Sequence, residues 1–208
     1  MLEFAAGGVV VERMACLGIG YLFGMVLFAE LIVRFRLGKS ARSIGSGNPG
    51  TANISRQMGL RWGLAVLAGD LLKTGAACWI SLALFPALGH IAILWAGLGA
   101  TLGHDFPLWA QFRGGKGVAT TCAFTVLFSP LWGGLCVLLG GAVVLATGYL
   151  PVAAVVIAGC ALAPGWFLGG AEGLALMLCS LGLTLLCHRH GLQRVFKGEE
   201  RKALRKKG

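Results

Sequence analysis

ACLGIGYLFGMVLFAELIV, residues 15–33, is an apolar run whose one charged residue, Glu30, stands near its end. A helix of about 20 such residues crosses the hydrocarbon core of a bilayer, so the run predicts a transmembrane helix. No small-residue cleavage site follows it, which favours a retained anchor over a removed signal peptide. The pattern recurs at 62–84, 87–102, 118–128, 131–148, 152–167 and 173–187. The chain is therefore expected to be an all-α integral membrane protein with about seven transmembrane helices. The short run at 118–128 is expected to tilt or to enter the membrane only partway. Apolar residues make up 57% of the 208 positions and mean hydropathy is +0.80, more than one soluble core could hide. With no repeat or soluble segment, residues 1–208 read as a single transmembrane domain ending in a flexible basic tail from about residue 198.

Charge tests the parity of the spans. Arg34, Arg36, Lys39, Arg42, Arg56 and Arg61 lie in or beside the first connection, and Arg113 and Lys116 in the third. Eight more cations lie between Arg189 and Lys207, and the second, fourth and sixth connections carry none. The positive-inside rule then puts the first and third connections and the C-terminus in the cytoplasm, with the N-terminus outside. The formal charge of +10 reflects this orientation and attraction to anionic lipid, and no aromatic-interleaved basic platform for nucleic acid is present. Cys16, Cys78, Cys122, Cys136, Cys160, Cys179 and Cys187 stand singly in apolar segments without ligand spacing, so they are expected to be small buried residues and no metal is expected.

Three polar clusters fall on the predicted cytoplasmic side. The first, GSGNPGTANISR at 45–56, combines Gly45 and Gly47, which permit anion-binding backbone turns, with the donors Ser46, Asn48, Thr51 and Asn53 and the fixed charge of Arg56. The second runs from GHDFP at 103–107 to FRGGKG at 112–117. Here a span ends at His104, and the next opens at Gly114, Gly115, Lys116 and Gly117, where helix N–H groups and a mobile ammonium suit a phosphate. The spacing is not that of a Walker A loop, so nucleotide hydrolysis is not indicated. The third cluster, HRHGLQR at 188–194, reads alone as a basic stop. Within the second span, Asp70 and Lys73 share one helical face and predict a mutual ion pair that orients the helix, with a direct catalytic role as the alternative. Glu30 and His90 read as interfacial or packing groups, and Gly133-Gly134 and Gly140-Gly141 as sites of close helix contact.

Together these segments resemble the bacterial acyl-phosphate:glycerol-3-phosphate acyltransferases of the inner membrane. The likeness rests on GSGNPG with Asn53 and Arg56, on GHDFPLWAQFRGGKGVAT at 103–120, on His188-Arg189 with the KGEE at 197–200, and on Asp70 and Lys73. It implies seven helices, an active site built from the three cytoplasmic loops, and acyl transfer from acyl phosphate to the 1-hydroxyl of glycerol 3-phosphate, giving lysophosphatidic acid. It implies no cofactor, and as partners acyl phosphate, glycerol 3-phosphate or a related polyol phosphate, and membrane lipid, with protein partners left open. Because acyl phosphate is already activated, positioning and charge stabilisation are the tasks left to the protein. On this reading Lys116, with the amides of Gly114, Gly115 and Gly117, holds the donor phosphate, and Ser46, Asn53 and Arg56 help fix the acceptor. Ser46, His104 and Lys116 form the catalytic set, with His104 tested as proton acceptor although the resemblance implies that the substrate phosphate itself is the base. Gly45, Gly47, Asn48, Thr51, His188 and Arg189 complete the binding residues.

The chain departs from that pattern around the acceptor. Thr51-Ala52-Asn53 stands where Ala-Thr-Asn is usual, His190-Gly191 where Glu-Asn is usual, and Gly148-Tyr149 with Pro151 and Ala154 where Arg-Tyr and serines are usual. Two alternatives stay open at this level: an acyltransferase with another polyol-phosphate or lysolipid acceptor, and a lipid or solute carrier.

Overall fold

The computed structural model describes residues 2–203, with side chains from residue 10. Among these the elements are nine α-helices and no strand: α1 (Leu2–Gly24), α2 (Phe28–Leu37), α3 (Thr51–Met58), α4 (Leu60–Leu84), α5 (Ile91–Asp105), α6 (Val118–Phe128), α7 (Pro130–Thr147), α8 (Leu150–Cys160) and α9 (Leu162–Phe196). Residues 204–208 of the expected basic tail lie outside the described residues. Among the described residues, four stretches are long and apolar enough to cross a membrane: Val10–Leu37, which joins α1 to α2, and α4, α7 and α9. Helices α6 and α8, each 11 residues, are apolar but shorter.

The chain forms two compact units, one through Phe124 and one from Thr125. The first is built on a small-residue seam between α1 and α5. A Cβ on Gly20 or Gly24 would stand 2.0 and 2.2 Å from the carbonyl oxygens of Ala96 and Ala100, and a Cβ on Gly99 or Gly103 would stand 2.1 and 2.2 Å from those of Leu17 and Tyr21. Both glycine pairs repeat at i, i+4, so each helix presents a smooth face and the backbones meet directly, the packing that replaces a hydrophobic driving force in lipid. Helix α4 packs on both α1 and α5.

In the second unit α7, α8 and α9 pack in sequence, and Gly140 of α7 receives the side chain of Ile157. The 35-residue α9 is two arms joined at Gly170 (φ 60°, ψ −151°). A Cβ on Gly173 would lie 2.3 Å from Gly165 O, a contact possible only if the second arm folds back on the first. The sixth and seventh expected runs thus map onto α8 with the first arm, and onto the second arm. Among the glycine pairs expected at helix contacts, Gly133 and Gly140 meet neighbours closely, whereas Gly134 and Gly141 face open space. Of the seven cysteines, Cys16, Cys78 and Cys136 are buried and Cys122, Cys160 and Cys187 partly so; Cys179, contrary to expectation, is exposed on an apolar helix face that a bilayer would cover.

Candidate active site

The first connection is anchored before it reaches its glycines. Glu30, buried in α2, accepts from the main-chain N–H of Ala41 at 2.8 Å and from Ser40 Oγ at 3.1 Å, and pairs with Arg34 at 2.6 Å. The carboxylate therefore ties down the three-residue 3₁₀ turn Ala41–Ser43, a more specific task than the interfacial one expected of it. Beneath lies a core of Ala29, Val33, Ala41, Ile54 and Val66.

The GSG turn is then folded around Asn53, which is buried at 3% exposure. Its Oδ1 accepts from Ser46 N–H at 2.9 Å and its Nδ2 donates to Ile44 O at 3.1 Å. Gly45 and Gly47 take positive φ of 57° and 73°, and a Cβ on Gly45 would lie 2.2 Å from Asn53 Oδ1. Asn53 braces the turn, so its amide is engaged inside the loop and not held out to a ligand. Ser46 stands exposed at the turn, its Oγ 3.5 Å from Asn48 N, while Thr51 opens α3 and Arg56 is exposed near its end.

The third connection hangs from the end of α5. Gly114 N–H donates to Asp105 O at 2.8 Å and Gly115 N–H to His104 O at 2.9 Å. These two amides, expected to hold a phosphate, instead satisfy carbonyls that the helix end leaves open. The glycines are required for closeness: a Cβ on Gly114 would lie 2.0 Å from His104 O, and one on Gly115 2.0 Å from His104 Nε2. Gly117, at φ 65°, packs against Thr101 and the buried carboxylate of Asp105. Its carbonyl accepts from Thr121 N–H and Thr120 Oγ1, both at 2.8 Å, which starts α6. The first-turn N–H groups of α6, which opens two residues after Lys116, have no intrahelical acceptor.

The two connections meet. Arg42 Nη2 donates to Arg113 O, which joins the segment before Gly45 to the segment before Gly114. The sequence marks Arg42 only as orienting charge; its place three residues before Gly45 is the signal for this second task.

Behind the second turn lies a buried cluster. Lys73 Nζ is 2.7 Å from Asp70 Oδ1, the ion pair that the helical spacing predicts. The ammonium also reaches His104 Nδ1 at 2.9 Å, Val26 O at 2.7 Å and Gly24 O at 3.1 Å. His90 precedes α5, away from these groups in sequence.

In the second unit His188 is buried on α9 and Arg189 is exposed, donating to Leu186 O at 3.3 Å and His190 Nε2 at 3.2 Å. Arg194 pairs with Glu200 at 2.6 Å, and Ala203 N–H donates to Gly148 O at 2.7 Å. Gly191 lies against Pro151, so two positions where the chain departs from the expected pattern are in contact.

The family described as glycerol-3-phosphate acyltransferase matches residues 14–198. The chain is 37% identical over 194 residues to the glycerol-3-phosphate acyltransferase of Anaeromyxobacter sp., covering 88% of this chain and 92% of that one. It is 41% identical to glycerol-3-phosphate acyltransferase 1 of Lactobacillus johnsonii over a shorter match, spanning 62% of each chain. The crystal structure of PlsY (YgiH), an integral membrane glycerol 3-phosphate acyltransferase, in its glycerol 3-phosphate form superposes with a TM-score of 0.81 at 28% identity, over 91% of this chain and 94% of that one. A family match along most of the sequence and a shared helical fold place this chain in the glycerol-3-phosphate acyltransferase family.

Proposed function

We propose that this family member transfers a fatty acyl group from acyl phosphate to the 1-hydroxyl of glycerol 3-phosphate, giving lysophosphatidic acid and inorganic phosphate. The observation that carries the reading is the Arg42–Arg113 contact, which gathers two glycine turns, each opening a helix, into one cationic region. Two phosphorylated substrates need two such turns. Lys116 and the first-turn N–H groups of α6, with Gly117, take the donor phosphate; Ser46, Asn48, Thr51 and Arg56 take the acceptor, on a turn that Gly45, Gly47 and Asn53 shape. His188 and Arg189 are further substrate-binding candidates on the likeness of their motif alone.

The acceptor oxygen forms a bond to the acyl carbon, the bond from that carbon to the phosphate oxygen breaks, and the hydroxyl proton ends on the released phosphate. No protein nucleophile is required, because the mixed anhydride supplies its own leaving group. The protein contributes orientation and positive charge where the leaving phosphate gains charge.

In this reading the protein is a bacterial inner-membrane enzyme with seven crossings, the N-terminus outside and the active site facing the cytoplasm. The arginine and lysine distribution supports it. So does Ala203 N–H on Gly148 O, since two crossings separate those residues and should return them to one side. Purified protein given acyl phosphate should release phosphate only when glycerol 3-phosphate is added, with lysophosphatidic acid identified by mass. Release with another polyol phosphate but not with glycerol 3-phosphate would overturn the acceptor assignment.

A further inference from the structure

We infer that Lys73, held by Asp70, is a positioning residue that sets the Gly114–Gly117 turn through His104. Its ammonium is surrounded by four acceptors from three places: Asp70 Oδ1 on its own helix, Gly24 O and Val26 O where α1 breaks into α2, and His104 Nδ1 at the end of α5. An ammonium only donates, so His104 Nδ1 accepts and the ring hydrogen sits on Nε2. That nitrogen faces Gly115, where a Cβ would be 2.0 Å away. With Nδ1 occupied and Nε2 protonated, His104 has no lone pair to take the acceptor's proton. What it does is mechanical: the ring fixes the residue whose carbonyl receives Gly115 N–H at 2.9 Å, next to Asp105 O, which receives Gly114 N–H.

A plain ion pair would need only Asp70 and Lys73. The reach of Nζ across to α5 is not explained by charge neutralisation, and buried pairs stabilise a fold poorly in any case. The same ammonium also takes two of the carbonyls freed at the break after Gly24, while Trp109 Nε1 takes the third, Met25 O, at 2.9 Å. Lys73 thus registers α1, α4 and α5 against one another at the base of the turn.

The kinetic half of the test rests on the donor-phosphate reading above; the exchange half does not. Replacing both partners, Asp70→Leu with Lys73→Met, avoids leaving one buried charge alone. In the folded double variant, hydrogen exchange in a peptide covering 106–117 should accelerate at least about tenfold while one covering 45–58 is unchanged. The KM for acyl phosphate should rise at least about tenfold, with the KM for glycerol 3-phosphate within about twofold. Unchanged exchange at 106–117 overturns the positioning role, whatever the kinetics. Faster exchange with a selective rise in the glycerol 3-phosphate KM keeps it and overturns the donor assignment. Should the double variant fail to fold, a second pair decides. His104→Asn keeps an acceptor near the Nδ1 position and should retain protection of the turn, whereas His104→Leu should lose it; equal exchange in the two overturns the role.

Discussion

Asn53 Oδ1 accepts the main-chain N–H of Ser46 at 2.9 Å, so the residue at the start of α3 decides the shape of the turn seven residues before it. The same amide donates to Ile44 O at 3.1 Å and closes the turn from both sides. Asn53→Ala removes both bonds at a buried position, a loss of about 1–3 kcal/mol concentrated in the loop. The expected result is a protein whose thermal midpoint in detergent falls modestly while kcat/KM for glycerol 3-phosphate falls at least about tenfold. Asn53→Asp retains the acceptor for Ser46 but sets a carboxylate oxygen against Ile44 O, and should be no better than alanine. Wild-type kinetics in either variant would show that the brace does not serve the acceptor.

Lys116 differs from its glycine neighbours in what its loss should do. Lys116→Ala removes charge beside the first turn of α6 while the main-chain bonds from Gly114 and Gly115 to Asp105 and His104 stay in place, and should abolish turnover in a protein that still folds in detergent. Gly115→Ala instead forces a methyl to within 2.0 Å of the His104 ring and should disturb the loop itself. A fully active Lys116→Ala enzyme would contradict the phosphate role, and a fully active Gly115→Ala enzyme the close packing.

How much of this could be read from sequence depends on what carries the signal. The apolar runs and the Asp70–Lys73 pair are visible because side-chain chemistry and helical period mark them. The inward use of the Gly114 and Gly115 amides is not, because a backbone N–H is the same at every residue and its acceptor depends on how α5 ends. Lys73 bonding to Gly24 O and Val26 O was hidden for the same reason: a carbonyl freed by a helix break has no letter. Asn53 was legible as an amide in a polar loop but not as the brace of that loop, since only tertiary placement turns it inward.

The α1–α5 seam of Gly20, Gly24, Gly99 and Gly103, which the sequence reading does not single out among the glycines, gives a folding prediction. A Cβ on Gly99 would stand 2.1 Å from Leu17 O, so the two helices must move apart for any side chain at that position. Gly99→Ala should cost at least about 1–3 kcal/mol, the range for overpacking a tight interface, and lower the yield of monodisperse protein. Gly18→Ala, on α1 with nothing within 4 Å, is the matched control and should purify as the parent does. Equal behaviour of the two in size-exclusion chromatography and melting would place the stability of the first unit elsewhere.

The contact between Gly191 and Pro151 makes the departures in the second unit a coupled pair. A Cβ on Gly191 would lie 2.8 Å from Pro151 Cγ, and Pro151 sits in the first turn of α8, where the ring costs no helix hydrogen bond. Gly191→Asn alone therefore drives a side chain into the pyrrolidine ring, while Pro151→Ser alone leaves space beside a glycine. Made together, the serine's smaller side chain yields the volume that the asparagine needs. Residues in direct contact typically show interaction energies of about 0.5–3 kcal/mol, so the double variant should melt well above the sum of the two single losses. A thermal cycle of the four proteins measures it. Strict additivity would mean that Gly191 and Pro151 do not constrain each other, and their shared departure from the family pattern would then need two separate explanations.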